Sequence, residues 1–141
     1  MTKLLLTSDG LTTQNLRQRV LDLVGKDPKD IKVLFVPTAS DAKKDIAYLE
    51  IKVAYFKQCE KQFTDIGIPK ENFFWINVNN IPFAGDIDAY DVMYVCGGNT
   101  FFLLHEIRRT GFDQKIIDFI NKGNVFVGES AGSIIVGPHI L

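Results

Sequence analysis

Short apolar runs that stop abruptly at Pro, Gly or Ser, each followed by a longer amphipathic stretch, leave this chain few folds to choose from. Lys3 to Thr7 reads as a first strand and is closed by a Ser8-Asp9-Gly10 turn. Thr12 to Val24 carries Leu16, Val20, Leu21, Leu23 and Val24 at helical spacing, with Thr12 or Thr13 as N-cap and Gly25 and Pro28 as stops. Ile31 to Val36, apolar but for Lys32 and rich in β-branched residues, ends at Pro37, as suits a parallel strand covered on both faces. From about Asp41 to Ile66 the spacing predicts a long helix with Ile46, Leu49, Val53, Phe56 and Phe63 on its apolar side. Phe73 to Val78 and Val92 to Val95 follow as strands, then helices over Asn99 to Arg109 and Asp113 to Asn121. Val125 to Val127 is a short strand, and Ala131 to Val136 opens a last helix.

The order β-α-β-α-β-β-α-α-β-α predicts an α/β fold, a mostly parallel sheet flanked by helices on both faces. Ligands of such sheets gather beyond the carboxyl ends of the strands. Two glycine-bearing motifs fall at strand ends of that kind. No repeat or linker divides the 141 residues, so a single α/β domain is expected over 1–141.

Composition removes several classes of function. Sixteen basic and 17 acidic residues leave a net charge of −1, which offers no electrostatic ground for nucleic acid or an anionic membrane as partner. Cys59 and Cys96 are too few for a disulfide framework and lie in no metal-binding spacing, so neither metal nor cofactor is expected and a cytoplasmic location is. Leu4-Leu5-Leu6 is too short for the core of a signal peptide.

The motif that carries chemistry is Gly128-Glu129-Ser130-Ala131-Gly132. A serine on a sharp strand-to-helix turn needs small neighbours, and Gly128 and Gly132 supply them on either side of Ser130. The helix N-terminus favours developing negative charge, and the Ala131 N–H is placed to donate into an oxyanion hole. The second motif, Cys96-Gly97-Gly98-Asn99-Thr100, follows the strand Val92 to Val95. Paired glycines let backbone approach a ligand, and their amides could hold phosphate, a carboxylate or the second half of an oxyanion hole. The same residues also suit a tight turn in which Asn99 or Thr100 caps the next helix.

Together, Cys-Gly-Gly-Asn-Thr-Phe and, about thirty residues later, Gly-Glu-Ser-Ala-Gly resemble the peptidase E family, serine peptidases of family S51, with cyanophycinase a more distant relative. The likeness extends in layout over the whole chain, through Val36-Pro37-Thr38-Ala39-Ser40, and is sharpest from Tyr94 to Pro138. It implies a flavodoxin-like three-layer sandwich of the class I glutamine amidotransferase kind, in a cytoplasmic enzyme that cleaves short peptides after an N-terminal aspartate. It also implies that Ser130 is the nucleophile, that Gly98 and Ala131 supply oxyanion amides, and that Gly97, Asn99 and Thr100 contact substrate.

The family places its base and acid downstream of the serine. Only 11 residues follow Ser130, with no Asp or Glu and the single histidine His139. A helix through Val136 would carry His139 roughly 10–14 Å from Ser130, whereas a general base works within about 3 Å. His105 is expected on an exposed helix face with Glu106 pointing elsewhere, Glu129 is expected in solvent or on nearby backbone, and Cys96 reads as a small core residue. The apolar tail from Ile134 to Leu141 suggests a domain incomplete at its C-terminus, whose open sheet edge would favour self-association into a homo-oligomer. Three functions remain: a serine peptidase, a pocket-bearing domain that binds an acidic small molecule or peptide without turning it over, and an esterase or amidase on the same elbow.

Overall fold

The structure, a computed structural model, describes residues 1–43, 46–76, 78 and 85–140. Parts of the expected second helix (Lys44, Asp45 and the Ile46 side chain), Asn77 of the expected third strand, and Leu141 lie outside the described residues.

Among the described residues ten strands and α-helices follow one another in the expected order: β1 (Lys3–Thr7), α1 (Gln14–Val24), β2 (Val33–Val36), α2 (Ile46–Thr64), β3 (Phe73–Trp75), β4 (Val92–Val95), α3 (Thr100–Thr110), α4 (Phe112–Asn121), β5 (Val125–Glu129) and α5 (Ala131–Ile134). The strands form one parallel sheet in the order β1-β5-β4-β2-β3. The continuous apolar runs have the burial that parallel pairing demands: every residue of β2, β4 and β5 is buried.

Alternation along the strands sorts the core into two layers. Val33, Phe35, Val92, Tyr94, Val125 and Val127 face α1 and α2, where Phe56, Cys59 and Phe63 meet them. Leu34, Val36, Met93, Val95 and Phe126 face the other side, beneath Leu103, Ile107, Phe112, Ile116 and Phe119 of α3 and α4. Aromatic rings lock the first layer together: Phe35 stacks on Tyr94 at 5.6 Å and meets Phe56 edge-on at 5.4 Å. β1 and β3 are the sheet edges, and Leu4, Leu6, Phe74 and Trp75 are partly exposed there.

Helix boundaries follow local chemistry. The Thr13 hydroxyl accepts the Leu16 N–H at the start of α1, and Gly25 ends that helix in the left-handed region. Asn99 caps α3 in the same way, its side-chain oxygen accepting the Phe102 N–H at 2.9 Å.

Expectations for three of these elements need correction. Thr38–Ala42 forms a 3-10 turn, so the second helix does not start at Asp41. Within α2, Phe56 and Phe63 are buried but Leu49 and Val53 are 44% and 49% exposed. Tyr55 already reaches Gly97, past the end of β4, so the turns that precede it have no sheet beneath them. The third strand stops at Trp75, and the Val78 N–H turns aside to the Thr38 hydroxyl at 3.2 Å. The last helix is shorter than expected as well. α5 closes at Ile134, where three β-branched residues meet Gly137-Pro138 and the Gly137 N–H bonds back to the Ile134 carbonyl.

Candidate active site

Parallel pairing brings four strand ends side by side: Thr7 lies opposite Glu129, Val95 opposite Gly128, and Val36 opposite Val95. The candidate site is built on this rim.

Ser130 occupies the turn between β5 and α5 at φ 49° and ψ −107°, and it is exposed. Among the described residues it is the one non-glycine with a positive φ. An L-residue held there costs about 1–3 kcal/mol, which the surroundings must over-determine. They do so through β1. The Ser130 N–H donates to the Thr7 carbonyl at 2.9 Å, and the Ser133 hydroxyl donates to the same carbonyl at 2.7 Å. The Thr7 N–H returns a bond to the Ser133 oxygen, and the Thr7 hydroxyl donates to the Gly128 carbonyl.

The two motif glycines are required by space. A Cβ on Gly128 would stand 2.7 Å from the Ser133 nitrogen, and one on Gly132 would stand 2.0 Å from the Val95 carbonyl oxygen. Replacing Ser130 itself with glycine should therefore stabilise the fold. Relief of the strained φ outweighs the added chain entropy by about 1 kcal/mol, or a rise in Tm of roughly 3 °C. A Tm that stays level or falls in thermal unfolding would show the turn to be unstrained.

The turn after β4 lies against the elbow. A Cβ on Gly97 would sit 3.4 Å from the Ser130 Cβ. Gly98, at φ 147°, packs so closely on the Ala39–Ser40 backbone that a Cβ would fall 2.3 Å from the Ala39 oxygen, and the Asn99 N–H donates to that same oxygen at 2.8 Å. The Gly97 N–H is taken by the Tyr55 hydroxyl at 3.3 Å. Among the described residues the Gly98 and Ala131 N–H groups have no hydrogen-bond partner, and neither has the Ser130 hydroxyl. α5 has only four residues, so its dipole is weak and local amides supply the polar character of this corner.

Beneath the elbow Glu129 is 6% exposed, and it corrects the expectation of a solvated or backbone-bound carboxyl. The Tyr55 hydroxyl donates to its Oε2 at 2.5 Å and the Tyr94 hydroxyl at 2.7 Å. Burial pushes both phenols far above their ordinary value, with the nearby thiols and Glu129 adding to the effect, so both remain protonated donors. The signal was present in the sequence. Counting by twos from Val125 through Val127 puts Glu129 on the inner face shared with Tyr94. One turn before Tyr55, Lys52 pairs with the buried Asp41, and burial lowers the Lys52 ammonium.

The remaining candidates lie apart. Cys96 is fully buried and burial pushes its thiol up, as a core residue should behave. Thr100 opens α3 and is half-buried. His139 is exposed. His105 is exposed too, but Glu106 does not point elsewhere: its Oε1 is 3.8 Å from the His105 Nε2, while its Oε2 holds Arg109 at 2.6 Å. Arg108 and Arg109 occupy the last turn of α3, roughly 14–15 Å along the helix from Asn99.

The sequence model of peptidase family S51 matches residues 4–141. An uncharacterized peptidase of Listeria innocua is 35% identical over 108 residues, 77% of this chain and 48% of the relative. A peptidase E of Salmonella typhi is 36% identical over 69 residues, covering 46% of this chain and 30% of its own. Among solved structures, a Listeria monocytogenes EGD-e protein provisionally named a peptidase E superposes with a TM-score of 0.70 at 30% identity, over 99% of this chain and 64% of the other. A peptidase from an acI-B1 Actinobacterium shares the fold, with a TM-score of 0.74 at 22% identity over 99% of this chain and 59% of its own. The chain spans about half the length of the first curated relatives it matches, 48%, 49% and 54% of them.

Proposed function

The chain belongs to peptidase family S51, and on that premise we propose that it carries the nucleophile of a serine-type peptidase that hydrolyses short peptides beginning with aspartate. One observation carries this reading: an exposed serine fixed at φ 49° on a strand-to-helix turn, beside two backbone N–H groups that have no partner among the described residues.

In the proposed reaction the Ser130 Oγ attacks the carbonyl carbon of the scissile peptide bond. The Gly98 and Ala131 amides stabilise the oxyanion, with each such donor worth about 10²–10³ in rate. The C–N bond breaks, the hydroxyl proton passes to the leaving amine, and an ester on Ser130 remains. Water then hydrolyses the ester and restores the hydroxyl. Gly97, Asn99 and Thr100 border the substrate. Asn99 does so while its side-chain oxygen caps α3 and its backbone N–H is held by the Ala39 carbonyl, so the residue offers substrate its side-chain NH2 group. The preference for an N-terminal aspartate rests on the likeness of Cys96 to Phe101 to the family motif. Cys59 and Cys96, both free thiols, suit a cytoplasmic enzyme, and no helix among the described residues is long and apolar enough to cross a membrane.

A second reading is favoured by one feature, the Ser130 hydroxyl that has no hydrogen-bond partner among the described residues. On that reading the corner binds an acidic peptide or small molecule without cleaving it. Aspartyl dipeptides incubated with the protein and hydroxylamine separate the two. Turnover with formation of the aspartyl hydroxamate supports the acyl-enzyme. Saturable binding in calorimetry without product supports the binding domain, and neither binding nor turnover refutes both.

A further inference from the structure

The two halves of the proposed oxyanion site come from different strands, Gly97-Gly98 from the end of β4 and Ser130-Ala131 from the end of β5. Among the described residues no hydrogen bond joins them directly, although they lie close: a Cβ added at Gly97 would stand 3.4 Å from the Ser130 Cβ. A path of hydrogen bonds joins them from behind. The Gly97 N–H donates to the Tyr55 hydroxyl at 3.3 Å, that hydroxyl donates to Glu129 Oε2 at 2.5 Å, and Glu129 is the residue before Ser130.

The direction of each bond is fixed. Both phenols donate to the Glu129 Oε2, and each has a single proton to give. Tyr94 does so at 2.7 Å and gives nothing else. Tyr55, having given its proton to Glu129, has lone pairs left, and the Gly97 N–H takes one. The Gly97 amide is thereby withdrawn from any role as an oxyanion donor, and the turn is oriented with Gly98 as its available amide. On the opposite side the Ala39 carbonyl holds Asn99. The turn is thus gripped from α2 and from the residues after β2, and only the grip from α2 runs on to the elbow.

We propose that Tyr55 is a positioning residue: its hydroxyl, seated between the Gly97 N–H and the Glu129 carboxyl, sets the Gly97-Gly98 turn in register with Ser130. This rests on the reading of Ser130 as nucleophile, and it deepens that reading by adding a side chain from a helix that carries none of the motif. Tyr55 touches no reacting atom and acts through the backbone it holds. A misplacement on the order of 1 Å in such a constellation can cost as much as a hundredfold in rate.

Tyr55→Phe and Tyr94→Phe make the comparison, because each removes one hydroxyl from Glu129 but only the first releases Gly97. In the full chain, hydrogen exchange at the Gly97 amide, followed by 15N NMR, should quicken at least about tenfold in Tyr55→Phe. Labelling of Ser130 by a fluorophosphonate should slow by about tenfold in the same variant. In Tyr94→Phe both should stay within about twofold of wild type, even where Tm falls. An unchanged Gly97 amide in Tyr55→Phe overturns the proposal. So does a freed Gly97 with an unchanged labelling rate, or an equal slowing in the two variants. Wild-type protein that resists the probe contradicts the serine-peptidase reading instead, and Gly97 exchange then decides whether the clamp exists.

Discussion

Gly132→Ala is expected to lose more than about 3 kcal/mol of folding free energy, a fall in Tm of roughly 10 °C. The added Cβ would fall 2.0 Å from the Val95 carbonyl oxygen and 2.8 Å from its carbon. These are backbone atoms of a central, fully buried strand, so no rotamer change makes room. Relief requires α5 to lift from β4, which breaks the Ser133–Thr7 pair that stitches the elbow to β1. Gly111→Ala is the matched control. Gly111 sits at φ 76° with nothing within 4 Å of the added carbon, so only the backbone penalty of about 1 kcal/mol applies. Equal losses in the two variants, measured by urea or thermal unfolding, would show that α5 does not press on β4 as described.

Ser130→Ala should lose reactivity toward a fluorophosphonate by at least about 10³-fold while remaining folded. In the wild-type reaction the serine oxygen bonds to phosphorus and fluoride leaves. Among the described residues no neighbouring thiol or serine hydroxyl is placed to substitute for it. The Cys96 thiol is buried and pushed up by burial, and Cys59 is pushed up to about 12 by the same cause. The Ser133 hydroxyl is committed to the Thr7 carbonyl, the Thr7 hydroxyl to Gly128, and the buried Ser40 hydroxyl to Pro37. The alanine keeps the positive φ and its strain, so Tm should hardly move. Residual labelling of the variant above about a tenth of the wild-type rate would place the reactive group elsewhere.

Much of this was readable from the chain because parallel sheets leave a plain trace. The runs Val33 to Val36, Val92 to Val95 and Val125 to Val127 are apolar on both faces and are buried on both. The elbow was legible for a related reason: a turn this tight admits only glycine at 128 and 132. Where the reading of α2 failed, the cause lay in distance along the fold rather than in local pattern. Leu49 and Val53 continue the spacing of Phe56, but periodicity does not tell how far the sheet extends beneath a helix. The early close of α5 belongs to a competition between apolar character, which favours continuing, and three β-branched residues before Gly137-Pro138, which do not.

The carboxyl of Glu129 was the larger miss. A charged residue beside an exposed serine reads as solvated, and the partners that bury it lie 74 and 35 residues away, at Tyr55 and Tyr94. Period-two counting fixes the face on which Glu129 points, but only the fold supplies the hydroxyls. The short helical distance between His105 and Glu106 was missed for a simpler reason. Neighbouring residues on a helix diverge at their Cβ atoms, yet long side chains can still bring their tips within 3.8 Å.

The central claim is that Ser130 is a nucleophile presented beside the Gly98 and Ala131 amides. A crystal structure of the fluorophosphonate-treated protein tests it most directly. One adduct is expected, bonded to the Ser130 Oγ, with its phosphonyl oxygen within about 3 Å of both amide nitrogens. An adduct on another residue, or one whose oxygen turns to solvent away from Gly98 and Ala131, would contradict it.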